Sequence, residues 1–192
     1  MRARDQCGSA TERSTQRQND VFGAVLDSIL LHVRRGDRLP RRLWPIVQSQ
    51  AKCATAVSRE PDQGIWEARG KLQHYVSSKL MGWVALDRAS KLADIRGDRD
   101  LAATWGATAA EIKEDILAHG VDDRGVLRQH YDMDALDAST LLAAIFGFLP
   151  ADDSGFARAY SPSAMSSQKT ALCCVTAPTR PTTACPARRG PS

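Results

Sequence analysis

Between residues 59 and 70 the chain reads REPDQGIWEARG, which places Asp62, Trp66, Glu67 and Arg69 close together in a segment punctuated by proline and glycine. A loop tip is a poor place to bury an indole and a good place to hold a sugar. The flat indole matches the apolar face of a pyranose ring, carboxylates accept from its hydroxyls, and a guanidinium donates paired hydrogen bonds to hydroxyls or to a carboxylate. The structural alternative at the same residues is an indole capping helix ends and a solvated Glu67–Arg69 pair.

A loop of this kind needs rigid elements on either side, and the flanking sequence supplies helices. Residues 20–35 place Val21, Phe22, Val25, Leu26, Ile29, Leu30 and Val33 on one helical stripe with a basic end. After the turn GDRLP a second stripe over 41–57 carries Leu43, Trp44, Ile46, Val47, Ala51, Ala54 and Val57, with Pro45 in the first turn where it is tolerated. A third helix is expected from Ser77 or Ser78 to the stop RGD, burying Leu80, Met81, Trp83, Val84 and Leu92. Asp98 reads as the N-cap of a fourth, to about residue 118, with Leu101, Trp105, Ile112, Ile116 and Leu117 inward, and a fifth is expected near 135–148.

No segment has convincing strand character, so the body is expected to be all-α. Helices joined by short turns run antiparallel, and successive connections therefore alternate between the two ends of the array. The turns at 36–40 and 96–98 fall at one end, and the long loops at 58–76 and 119–134 at the other. The long-loop end is the candidate site, because rigid scaffolds present chemistry on their loops.

The net charge of +4 is misleading. Residues 154–192 contain Arg158, Lys169, Arg180, Arg188 and Arg189 and no acid, which leaves residues 1–153 at −1. The body is not basic, and nucleic-acid binding is set aside. Cys7, Cys53, Cys173, Cys174 and Cys185 form no CxxC pair and no cluster with histidine at metal spacing, so reduced thiols are expected, without a metal or other cofactor. The N-terminal residues lack the apolar core of a signal peptide and no apolar run could cross a bilayer, so a cytoplasmic protein without a membrane partner is expected.

After GFLPADD the character changes. The tail is rich in proline and has neither helical nor strand period. One reading is disorder. The favoured one is translation out of frame from near Ser154, because codons compatible with residues 161–171, read one base earlier, spell ordinary helix-and-loop protein. The expected organisation is a flexible lead over 1–18, a helical body over 19–153 and the tail over 154–192.

Five stretches, QNDVFGAVLDSI, PDQGIWEARG, HYVSSKLMGWVALDRASKLA, GVDDRGVLRQHYDMDALDASTLL and GFLPADD, resemble in order the middle of the catalytic domain of glycoside hydrolase family 15, most closely its trehalase-like branch, whose relatives include glucoamylases. The resemblance implies an (α/α)6 toroid, here an incomplete one of about five helices, with its site at one end. It implies inverting hydrolysis of an α-glucoside. One carboxyl protonates the leaving oxygen and a second, about 6.5–9.5 Å away, draws a proton from water. The glutamate of the family's GIWE loop is the acid, and it falls on Glu67. Ile65 and Trp66 could supply the partly apolar setting that keeps such an acid protonated. No stretch matches the family's catalytic base or its N-terminal β-sandwich domain.

The chain is therefore expected to be a fragment, inactive alone, acting on α,α-trehalose or another glucoside once a complementing chain supplies the rest of the barrel. The alternatives are a glucoamylase-type hydrolase of maltooligosaccharides, a non-catalytic helical interaction module, and the product of a broken gene. Trp66, Arg69, Asp62 and Asp137 are the expected sugar contacts. His74 is expected as a loop hydrogen-bond partner, Lys79 as a snorkelling helix residue, Tyr131 as structural, Asp134 as an N-cap, and His32, His119 and His130 at helix ends or on the surface.

Overall fold

The computed structural model describes residues 18–67 and 71–150. Helices α1 (Val21–Arg34), α2 (Trp44–Val57), α3 (Val76–Arg96) and α4 (Arg99–His119) are followed by a short α5 (Leu142–Ile145). Single 3-10 turns at Arg41–Leu43 and Ala138–Leu141 precede α2 and α5. The described residues contain no strand, only isolated β-bridges between loops, so the architecture is the expected all-α, incomplete toroidal array. Arg69, the tail over 154–192 and all of the lead except Gln18 lie outside the described residues.

Local sequence explains most of the boundaries. Pro45 occupies the first turn of α2, and Pro40 caps the 3-10 turn before it, so the segment expected to be helical from residue 41 tightens before it becomes α. Gly97, left-handed at φ 85°, closes α3. Asp98 accepts from the Leu101 amide at 3.2 Å and starts α4 as expected. The fifth helix is a correction. Asp134 does not cap it but pairs with Arg128 at 3.1 Å. The capping residue is Asp137, which accepts from Ser139 N at 2.7 Å, and the helix amounts to a 3-10 turn and one α turn ending before Gly147.

The core forms around α3. Over its 21 residues nearly every side chain from Val76 to Ala93 is buried, because α1, α2 and α4 all pack against it. Close approaches give their directions. A Cβ on Gly23 of α1 would lie 2.4 Å from the Met81 carbonyl oxygen, and one on Gly120 would lie 3.0 Å from Val76. The start of α1 and the end of α4 therefore both meet the start of α3, so α1 runs parallel to α3 and α4 runs antiparallel. Ile46 and Leu117, expected inward, are exposed. Trp44, Val47, Ala51 and Ala54 form the buried stripe of α2 instead, at the 3- and 4-residue spacing of one helical face.

Buried polar residues lock the array. Arg88 donates Nε to Asp27 Oδ1 of α1 at 2.7 Å and Nη2 to the Phe146 carbonyl at 2.8 Å, and also bonds to Asp87. Lys91 holds Asp87 at 2.6 Å. Lys113 of α4 reaches the Phe148 carbonyl at 2.9 Å across the Trp83–Phe148 ring pair. These contacts fasten residues 146–148 to α3 and α4, and α3 to α1. Cys53, buried on α2, is disulfide-bonded, a correction to the expectation of reduced thiols. No helix among the described residues is long and apolar enough to cross a membrane.

The two long loops lie together at one end, as the alternation of connections requires. Val76 N donates to Gln129 O at 3.0 Å and Tyr131 N to His74 O at 3.2 Å, and bridges join Tyr75 to His130 and Asp62 to Gln73. Gly64 is wedged against Tyr75. It has φ +69°, and an added Cβ would meet the Tyr75 ring at 2.8 Å.

Two predictions follow from this packing. Arg88→Ala leaves Asp27 and the Phe146 carbonyl without their donor, and Asp87 with Lys91 alone, and should cost about 3 kcal/mol in urea unfolding; a loss below about 0.5 kcal/mol would show that the network does not hold the helices. Gly64→Ala adds steric overlap to an unfavourable φ and should cost about 2 kcal/mol. Amide exchange should accelerate in residues 62–75 before it does in α3, and uniform exchange across both would contradict a local origin.

Candidate functional site

The tip of the first loop is a tight turn. Glu67 N donates to Gly64 O at 3.2 Å, and Glu67 has φ +51°, the one positive φ at a non-glycine among the described residues. A side chain at such a φ costs roughly 1 kcal/mol or more and persists only where the surroundings enforce it. Asp62 provides the enforcement at the base of the turn. It is 1% exposed and accepts from Gly64 N at 3.0 Å and from Asn19 N, just before α1, at 3.1 Å. Burial pushes its carboxyl above the ordinary range, against the downward pull of those amides.

At the top of the turn Trp66 is 58% exposed, yet its polar atom is fixed. The indole Nε1 donates to both oxygens of Asp137, at 2.9 and 3.0 Å. Asp137 also accepts from Gln129 Nε2 at 3.0 Å and from Ser139 N at 2.7 Å. Residues far apart in sequence therefore form one bracket around an indole that stays largely exposed. Glu67 beside it is exposed, and its Oε1 accepts from Gln18 Nε2 at 3.1 Å.

Of the expected site residues, the sugar contact Trp66 and the acid Glu67 sit together at the tip. Asp137 meets them through the indole N–H, and Asp62 lies beneath, occupied by backbone amides. Arg69 lies outside the described residues. The apolar setting expected around Glu67 is not built here, since Ile65 is only half-buried and Trp66 faces water. Gln18 and Gln129 were not foreseen. Both fall in stretches that carry the family resemblance, but nothing in the sequence marks them as partners of Glu67 and Asp137, and only the fold brings them there.

Several neighbouring expectations need correction. Lys79 does not snorkel. It is 3% exposed and donates Nζ to the carbonyls of Ser58 at 2.6 Å and Glu60 at 3.2 Å, satisfying acceptors at the C-terminal end of α2. Burial pushes its ammonium below the ordinary range. His130 is buried edge-on against Tyr75 at 5.5 Å rather than on the surface. His74 stacks on Tyr131 at 5.6 Å, and its Nδ1 has no hydrogen-bond partner among the described residues. Tyr131 donates its hydroxyl to Asp115 Oδ2 at 2.6 Å. Burial first, then that carboxylate, pushes the phenol well above its ordinary range. His32 and His119 lie at helix ends as expected, each beside an aspartate.

His74, Lys79, Glu111, Asp115, His119 and Tyr131 line a cleft of about 510 Å³ between the ends of α2 and α4. Its walls include none of Asp62, Trp66, Glu67 or Asp137. The cleft and the loop tip are separate features, and the tip carries the paired indole and carboxylate.

Comparison with known proteins identifies the family. The family model of Glycosyl hydrolases family 15 matches residues 6–172. The trehalase of Mycolicibacterium smegmatis is 55% identical over 138 residues, covering 72% of this chain and 21% of the relative. The trehalase of Mycobacterium tuberculosis is 53% identical over 138 residues, covering 72% and 20%. Trehalase 2 of Sulfolobus acidocaldarius is 38% identical over 144 residues, covering 73% and 25%. No solved structure matches. The chain spans about a fifth to a quarter of the length of these relatives. The family match reaches past Asp153, into the segment set apart as a tail. With most of its residues under that match and an all-α fold that presents the tryptophan–glutamate turn on a loop, the chain belongs to glycosyl hydrolases family 15.

Proposed function

We propose that this chain carries the general-acid part of an inverting α-glucosidase site, trehalase-like in its substrate, and is inactive by itself. Glu67 is the acid, Trp66 the platform for a glucose ring, and Arg69 a further sugar contact from the same loop. The observation that carries the reading is the Trp66–Glu67 turn. An exposed indole and an exposed carboxylate stand side by side, held by Asp62 from below and by Asp137 from across the array. A protein gains no stability from pinning an exposed tryptophan and placing its neighbour at a positive φ, and both features suit recognition.

Protonating the glycosidic oxygen is half of an inverting reaction. The other half needs a carboxylate on the far side of the sugar ring, about 6.5–9.5 Å away with a water between. No residue of this chain is assigned to that role, so the proposal includes a complementing polypeptide that supplies it. Such a partner would also cover the indole and exclude water from Glu67. The covering also suits the last described helix, where Ile145 is 72% exposed.

The test is glucose release from α,α-trehalose and from maltotriose, by the chain alone and mixed with a polypeptide carrying the rest of a relative's catalytic domain. The chain alone should release none. The mixture should act on trehalose in preference to maltotriose, and Glu67→Gln should lower the rate about a thousandfold. Turnover by the chain alone would refute the missing base. A mixture indifferent to Glu67→Gln would refute its role as acid, and preference for maltotriose would move the substrate to the α-glucan class.

A further inference from the structure

We infer that Asp137 is a positioning residue for the sugar platform, acting through Trp66 rather than touching the sugar. The inference rests on the proposed sugar-binding role of the loop and reassigns Asp137, expected from the sequence to be a sugar contact.

The geometry distinguishes the two roles. A sugar-binding carboxylate needs lone pairs facing the ligand. Asp137 is 8% exposed, and its oxygens already accept from Trp66 Nε1, Gln129 Nε2 and Ser139 N at 2.7–3.0 Å. A carboxylate has about four acceptor directions, and three different donors already occupy this one. Its backbone carbonyl also takes the Thr140 hydroxyl at 2.7 Å, so both the side chain and the backbone at this position are held.

Trp66 has complementary needs. The indole has one polar atom and two flat faces, and here the polar atom is held by a charged acceptor while much of the ring meets solvent. The ring cannot take its orientation from a surrounding core, so the charge-assisted hydrogen bond to Asp137 sets its plane. A sugar that stacks on a ring already in place does not have to order it on binding. Through the turn closed by Glu67 N and Gly64 O, the same bond also limits where the Glu67 carboxylate can swing.

Two measurements on this chain test the inference. In the first, the Trp66 indole N–H is followed by nitrogen-15 NMR and assigned with Trp66→Phe. Asp137→Ala should shift the signal and speed its exchange with water. Asp137→Asn, which keeps one acceptor and the cap on Ser139, should leave it near its original position. An unchanged signal in Asp137→Ala overturns the bracket whether or not any sugar binds.

The second is a double-mutant cycle read by α,α-trehalose titration. Asp137→Ala and Trp66→Phe should each weaken binding about tenfold, the scale of one charged hydrogen bond or one lost stacking surface. The double variant should bind no more weakly than Trp66→Phe alone, and Asp137→Asn should recover most of the loss. Additive losses overturn the inference, because Asp137 would then contact the sugar itself. If the unmutated chain does not bind trehalose, the proposed function fails in this chain, and the NMR measurement still decides whether Asp137 holds the indole.

Discussion

Burial of α3 on nearly all sides is the constraint from which the other features follow. A helix almost without a solvent face needs its charged groups answered by neighbouring elements, and α3 carries Lys79 near its start and Arg88 in its second half. Lys79 finds the carbonyls that end α2, and Arg88 finds Asp27 of α1 and the carbonyl of Phe146. Leaving any of these groups unpaired in the interior would cost more than the pair contributes when formed. The same contacts therefore specify which helices lie where, as well as how tightly they hold.

The loop end inherits that order. Because α1 runs parallel to α3 and α4 antiparallel, the residues before α1, the loop before α3 and the loop after α4 converge around the start of α3. Asn19 comes from the first, Asp62 and Trp66 from the second, and Gln129 and Asp137 from the third. The turn at Glu67 is thus fixed from three directions by groups that rest on helices. The proposed delivery of a proton to one oxygen of a sugar would need such a fixed turn, since general-acid catalysis depends on close placement of the reacting groups.

The cleft beside His74 and Tyr131 shows why a cavity and a site have to be distinguished. It has the volume, but its tyrosine hydroxyl is paired with Asp115, its lysine ammonium with backbone carbonyls and Glu111 with Arg59. The loop tip has little enclosure and the more directed chemistry. In an array of a few helices enclosure is the last property to appear, because it requires elements that face the tip from the opposite side.

The four long helices were legible in the sequence because helical period, the proline in the first turn of α2, the Asp98 cap and the glycine that ends α3 act over a few residues. The gathering of both long loops at one end was legible too, since connection lengths constrain helix direction. The Trp66–Glu67 pair stood out because an indole in a glycine-bounded loop lacks a packing explanation. Only the tertiary structure decided that Asp62 is buried under the turn, that Lys79 faces inward, that Asp137 and not Asp134 caps the last turn, and that Asp137 grips the indole 71 residues away. Local patterns report what a residue can do within its own element. Which of its hydrogen-bonding directions stay free for a ligand depends on partners brought from distant parts of the chain, and only the folded array supplies them.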